Sequence, residues 1–166
     1  LYSIYLWMGE RYEYYGLKQV GLKSVKMASE LYPNSAIAHY RTALALKALQ
    51  RDEASRDRNA ISLELNQARF NNNPYSVTVN LALGDNYTFM NDIAEAEQYL
   101  ELAFTTAIEN ARQKPNSAIA ANELAKVYAA QDSPLLALQY FKKAMQLQPS
   151  NMRYRQDYFR ALKDKN

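Results

Sequence analysis

The stretch "PNSAIA" occupies residues 33–38 and returns at residues 115–120. The copies lie 82 residues apart in a chain of 166. A hexapeptide seldom recurs by chance at this length, so an internal repeat is the first hypothesis. The prolines supply its period. Pro33, Pro74, Pro115 and Pro149 are separated by 41, 41 and 34 residues, and 82 is two steps of 41. A proline just past a helical pattern stops the helix, because it lacks an N–H and crowds the preceding turn. The Asn-Ser after Pro33 and Pro115 offers a cap for the next helix.

The last unit shows the pattern most clearly. Leu124, Ala125 and Tyr128 share one helix face, and Ala137, Phe141 and Ala144 share another. Between them lies "AQDSPLL", in which Ser133 is expected to cap the second helix and Pro134 to fit its first turn. The unit therefore reads as helix, short turn, helix, proline. Small alanines stand where two helices approach, and aromatics fill the space between.

This arrangement resembles the tetratricopeptide repeat family, a 34-residue helix–turn–helix with small, large and proline positions at fixed places. Leu124-Ala125, Tyr128, Ala137, Phe141, Ala144 and Pro149 fall at those places, with Ala121 replacing an early aromatic. Met8-Gly9, Tyr12, Val25, Ala28 and Pro33 match in the first unit, with Gly16 in the turn and Gly21 at a small position. Leu83-Gly84, Tyr87, Ala96, Leu100 and Ala103 match in the third. The resemblance implies an all-α fold: a right-handed superhelical stack of helix–turn–helix repeats, an α-solenoid, with a C-terminal capping helix. The expected repeats of this single domain are about 2–35, 36–76, 77–117 and 118–151, with the cap at about 152–164.

Two units exceed 34 residues. In the third, the pattern continues through Ala107 and Ala111 to Pro115, so seven extra residues extend its second helix by about two turns. In the second, the first helix is expected from Ala36 to about Arg51. The insertion there is placed in the charged "RDEASRDR" of residues 51–58, with Ile61, Leu65 and Ala68 facing inward on the helix that follows. The terminal "MRYRQDYFRALKDK" reads as an amphipathic cap with Tyr154, Tyr158 or Phe159, and Leu162 inward.

Composition limits the function. With 48% hydrophobic residues the chain is not disordered, and with no cysteine it has no disulfide or thiol chemistry. No apolar run approaches the ~18 residues of a membrane span. The chain starts at Leu1 rather than Met, which reads as an excised or processed segment. The net charge of +3 resides in residues 152–166, where Arg153, Arg155, Arg160, Lys163 and Lys165 face Asp157 and Asp164. A neutral remainder argues against a nucleic-acid stripe, and cations suit the negative end of a terminal helix.

Enzyme chemistry finds little support. The lone His39 reads as a packing residue, and HExxH, Gly-rich phosphate and GxSxG motifs are absent. Glu97 and Glu101, one turn apart, read as a solvated face rather than metal ligands. Asn86-Tyr87-Thr88 spells a glycosylation acceptor, discounted because Tyr87 holds a core position. No catalytic residue, metal or cofactor is assigned.

The resemblance places the first helix of each repeat along a concave groove. Carried onto this chain, its partner-binding residues are Tyr14, Tyr40, Leu44, Lys47, Leu81, Asp85, Phe89, Asn122 and Lys126. Aromatic anchors beside a few polar groups suit a peptide. The expected function is a non-catalytic protein–protein interaction scaffold binding a peptide segment or helix. The alternative is a structural or assembly segment of a larger bacterial envelope protein, in polysaccharide or export machinery, or a self-associating array. Tyr2, Tyr5 and Trp7 on the first helix mark a face for an intramolecular or homo-oligomeric partner.

Overall fold

The computed structural model describes residues 2–164; Leu1, Lys165 and Asn166 lie outside the described residues. Among those residues it is all-α, with nine helices and no strand. They are α1 (Tyr2–Tyr14), α2 (Lys18–Leu31), α3 (Ala36–Lys47), α4 (Asp52–Asn72), α5 (Val77–Phe89), α6 (Ile93–Gln113), α7 (Ala118–Ala130), α8 (Pro134–Leu147) and α9 (Met152–Asp164).

Each odd helix from α1 to α7 is joined to the next by the same turn. Gly16, Gln50, Asn91 and Asp132 carry positive φ of 74°, 58°, 63° and 53°. The following amide reaches back to close the helix: Leu17 N–H to Tyr12 C=O, Arg51 to Leu46, Asp92 to Tyr87 and Ser133 to Tyr128, at 2.8–3.0 Å. This left-handed C-terminal cap satisfies carbonyls that the helix end would leave open. Only Gly16 adopts it without steric cost, while Asn and Asp tolerate it and Gln50 does so least readily.

These turns locate both insertions. The turn-to-proline distance is 17 residues in the first and fourth units and 24 in the second and third. Both therefore lengthen the second helix, so α4 and α6 have 21 residues each. The charged segment 51–58 is not a loop. Its charges other than the half-buried Arg58 are exposed, and at the start of α4 Asp52 and Glu53 favour the positive end of the helix dipole. Seven residues make just under two turns, so the buried face continues almost unrotated.

That face of α4 also differs from expectation. Ile61 is 37% exposed, Ala68 is exposed and Leu65 is half-buried. The buried residues are Ser55, Asn59, Ser62 and Asn66, each at most 2% exposed. Ser55 Oγ donates to the Ala43 carbonyl at 2.9 Å. Asn86 of α5 donates to Asn59 Oδ1 (2.8 Å) and Ser62 Oγ (3.1 Å) and accepts from Asn66 Nδ2 (2.9 Å). Asn59 Nδ2 in turn donates to the Asn86 carbonyl at 3.2 Å. These hydrogen bonds offset the desolvation of the amides and hydroxyls, since buried polar groups are costly without partners.

Contacts divide the chain into two compact units, the described residues up to 72 with Asp85–Ile93, and Asn73–Gly84 with the described residues from 94 onward. In the first, Leu22 and Val25 of α2 pack with Ala45, Leu46 and Leu49. In the second, Val77 packs with Ala103, Ala107, Leu124 and Val127, and Ala125 with Ala137 and Phe141. The helix α9 covers α7 and α8 through Tyr154, Tyr158 and Ala161. Phe159 and Leu162 point outward, 51% and 37% exposed, because Ala161 rather than Leu162 occupies the inner face.

Short polar groups set the helix starts. Ser35, Ser76 and Ser117, spaced by 41, accept from the N–H three residues on, at 3.4, 3.4 and 3.2 Å. Ser133 makes no such bond, so Pro134 alone opens α8. His39 Nε2 meets the Pro33 carbonyl at 2.8 Å, and Asn80 Nδ2 meets the Pro74 carbonyl at 2.8 Å. Arg58 Nη1 lies 3.4 Å from His39 Nδ1, which leaves that nitrogen the acceptor and Nε2 the donor.

Two stability outcomes follow from the geometry. A Cβ on Gly9 would overlap Val25 Cγ1, on a side chain stiff at χ1. Gly9→Ala is expected to cost about 1–3 kcal/mol by overpacking. Val25→Ala added to it should cost less than the sum of the two single changes in urea melts. Gln50→Gly should raise stability by up to about 1 kcal/mol, because it relieves the left-handed strain at an exposed turn; an unchanged midpoint would contradict this.

Candidate functional site

On α3, Tyr40, Leu44 and Lys47 succeed one another at i, i+4 and i+7 and share a face. On α5, Asp85 and Phe89 are one turn apart. All five belong to the same compact unit. The Phe89 ring meets Tyr40 edge to face, with centroids 6.2 Å apart at 68°. Lys47 Nζ stands 4.5 Å from the Phe89 centroid, over its negative face. Tyr40 Oη donates to the Asp85 carbonyl at 3.4 Å. Tyr40, Leu44 and Phe89 are half-buried, while Lys47 and Asp85 are exposed.

The titrating groups reflect this crowding. Burial pushes the Tyr40 phenol up to about 12; the Asp85 charge adds to the rise and Arg41 opposes it. Surrounding protein pushes the Asp85 carboxyl up to about 6, again with Arg41 pulling down. Asp85 is nonetheless exposed by area, and solvent screening shrinks the energetic effect of that shift. Arg41 has another partner, because its Nη2 lies 2.8 Å from Glu10 Oε1 of α1. Glu10, Glu13, Lys18 and Arg41 line a narrow cleft with Gly21 and Val25, with room for about one water molecule.

The other expected groove residues each have their own surroundings. Tyr14 is 73% exposed, and its ring meets Tyr15 at 5.3 Å. Leu81 is half-buried against the Val77–Ala103 cluster of the second unit. Asn122 is 4% exposed and donates to Asp157 Oδ2 at 3.0 Å, which commits its amide to α9. Lys126 is half-buried, one turn from Glu123. Burial raises the Glu123 carboxyl, with Asn110 and then Lys126 opposing.

On α1, Tyr2 is less free than the sequence suggested. Its ring packs on Tyr32 at 4.8 Å and its hydroxyl bonds Ser35 Oγ. Trp7 is half exposed, with the Arg11 guanidinium 5.5 Å from its ring centroid. Tyr5 is half-buried.

Sequence reasoning overlooked Arg41 and the amide cluster around Asn86. A signal for the second existed. Ser55 stands where the other units place Gly21, Ala96 and Ala137; Ser62 where they place Ala28, Ala103 and Ala144; Asn59 where they place Val25, Leu100 and Phe141. Among the described residues no three His, Asp or Glu side chains assemble as metal ligands, and no helix is long and apolar enough to cross a membrane.

Residues 77–107 match the tetratricopeptide repeat model. No curated protein sequence matches the chain. Among solved structures it is similar to TTC0263, a thermophilic TPR protein of Thermus thermophilus, at 20% identity over 95% of this chain and 79% of that one, with a TM-score of 0.44. It is also similar to pilF of Pseudomonas aeruginosa, at 18% identity over 99% and 68% with a TM-score of 0.47. A third is a MamA segment from Desulfovibrio magneticus RS-1, at 16% identity over 98% and 89% with a TM-score of 0.38.

The raised Asp85 carboxyl has a stability consequence. When the folded-state pKa exceeds the ordinary value, ionisation opposes folding. The penalty is absent below the ordinary 3.8, grows as pH rises, and is complete above about 6. Asp85→Asn should therefore melt higher than the parent above pH 6, and the advantage should fade as pH falls through that window. An advantage that grew on acidification would contradict the assignment.

Proposed function

We propose that this chain, whose helix pairs are tetratricopeptide repeats, is a non-catalytic protein-interaction module that receives a peptide segment or helix of a partner on the face formed by α3 and the last turn of α5. The observation that carries this reading is the assembled group of Tyr40, Lys47, Asp85 and Phe89. Two aromatic rings meet edge to face, a cation lies over one of them, and the Tyr40 phenol donates to the main-chain carbonyl of Asp85.

The chemistry suits a peptide. Interfaces concentrate their energy in a few aromatic and charged anchors, and half-buried rings supply apolar area with little loss of rotamer freedom. Lys47 and Asp85 give opposite charges on one face, which can orient a segment carrying both signs. Leu44 extends the apolar floor by one helical turn. Leu81, Asn122, Lys126 and Tyr14 are proposed as further partner-binding residues. Of these, Asn122 contributes the least because Asp157 holds its amide.

A second reading concerns α1. Ile4 and Trp7 are 55% and 50% exposed, which supports a further intramolecular or homo-oligomeric partner on that helix. Such a contact is compatible with a binding face on α3 and α5.

Panning a random peptide display library on the chain tests the main reading. Enriched peptides should bind at micromolar strength, about −8 kcal/mol. Tyr40→Ala combined with Phe89→Ala should weaken them roughly thirtyfold, the effect of losing an anchor of about 2 kcal/mol. Unchanged binding by the folded double variant, together with a large fall in melting temperature, would make these rings core rather than site.

A further inference from the structure

The last turn of α5 carries two kinds of residue. Asp85 and Phe89 belong to the candidate binding face, whereas Asn86 points into α4 and is fully buried. Where Asn86 stands, the other repeats carry Arg11, Ala45 and Val127. The asparagine makes three side-chain hydrogen bonds: both amide hydrogens go to Asn59 and Ser62, and its oxygen accepts from Asn66. Its backbone carbonyl accepts from Asn59 as well. Asn66 is itself steadied by Arg69 Nη1 at 3.4 Å.

An apolar contact has no preferred direction and tolerates rotation of one helix against another. A set of amide bonds made in both directions does not, because each has a narrow range of distance and angle. Successive residues of a helix are ~100° apart around its axis. With Asn86 fixed toward α4, the directions of Asp85 and Phe89 are also fixed. A turn of one residue would break every bond of the cluster and carry Phe89 away from Tyr40.

We propose that Asn86 is a positioning residue: its amide, held among Asn59, Ser62 and Asn66, sets the rotation of the last turn of α5 and so places Phe89 over Lys47 and beside Tyr40. The functional importance of this placement rests on the reading of that face as a binding site. The geometric claim does not, so the two fail separately.

The test is the proton chemical shift of the Lys47 ε-methylene in the full chain. Ring current from Phe89 should move it upfield, and Phe89→Ala should abolish the displacement, which calibrates the signal. Asn86→Ala should lose most of the displacement in the folded protein. Asn80→Ala, which removes an equally buried asparagine of the same helix, should lower the melting temperature and leave the displacement intact. If Asn86→Ala fails to fold, Asn66→Ala removes one bond of the cluster and should give a partial loss. An undisturbed Lys47 signal in whichever of these two variants folds overturns the proposal. The selected peptides should bind folded Asn86→Ala roughly tenfold more weakly. A lost displacement with unaltered peptide affinity would uphold the positioning and remove the binding face; retained displacement with Phe89-dependent binding would do the reverse.

Discussion

The structure depends on how closely the two helices of each pair cross. At that crossing the odd helices carry Gly9, Ala43, Gly84 and Ala125, and the even ones carry Gly21, Ser55, Ala96 and Ala137. The space is limited to such residues. A Cβ at Gly84 would come within 2.7 Å of Leu100 Cδ2, and one at Gly21 within 3.2 Å of the Gly9 carbonyl. Close approach lets large side chains one turn away, such as Val25 and Phe141, be buried beside the crossing. It also fixes the turn within each pair, because two helices this near can be joined only by a sharp reversal, supplied four times by a residue of positive φ.

The second pair meets the same constraint with different chemistry. Serine is nearly as small as alanine, so Ser55 and Ser62 fit the crossing. Their hydroxyls then need partners, which the Ala43 carbonyl and the Asn86 amide provide. The two chemistries differ in size of effect. A buried leucine contributes about 1.5–3 kcal/mol, whereas a neutral hydrogen bond contributes about 0.5–1.5 kcal/mol and an abandoned buried partner costs about 1–3 kcal/mol. The polar pair therefore gains less from its correct partner than an apolar one would. It loses more from a wrong one. Such a seam favours a unique neighbour over maximal stability, and here that neighbour is the last turn of α5.

Much of this was legible in the sequence. Proline spacing and the four glycines marked the helix pairs, since Pro and Gly act on the backbone whatever surrounds them. The extension of α6 was legible because Ala103, Ala107 and Ala111 keep an apolar stripe through the insertion. The extension of α4 was not, because its buried stripe consists of Ser and Asn, which a hydrophobic pattern reads as solvent-facing, while Ile61 stands outside. The same blindness concealed Asn86. Tyr40, Lys47, Asp85 and Phe89 were identified by their places in the repeat, but the edge-to-face rings and the cation over Phe89 needed coordinates. Asn122 shows the opposite limit: its place suggested the groove, and only the position of Asp157 on α9 reveals where its amide is committed.

Electrostatics links the candidate face to α1. Arg41 sits next to Tyr40 in sequence, yet its guanidinium is held by Glu10, 2.8 Å away. It also opposes the rise in both the Tyr40 and the Asp85 ionisations. One cation thus ties α1 to α3 and moderates the charge of the face beside it. Since the ion pair is about one-third exposed, its contribution to stability is small, at most about 1 kcal/mol. Its larger effect is on charge balance. Arg41 is held by Glu10, while Lys47 and Asp85 are the exposed charges beside the aromatic pair. Arg41 acts on that face through how readily Asp85 ionises.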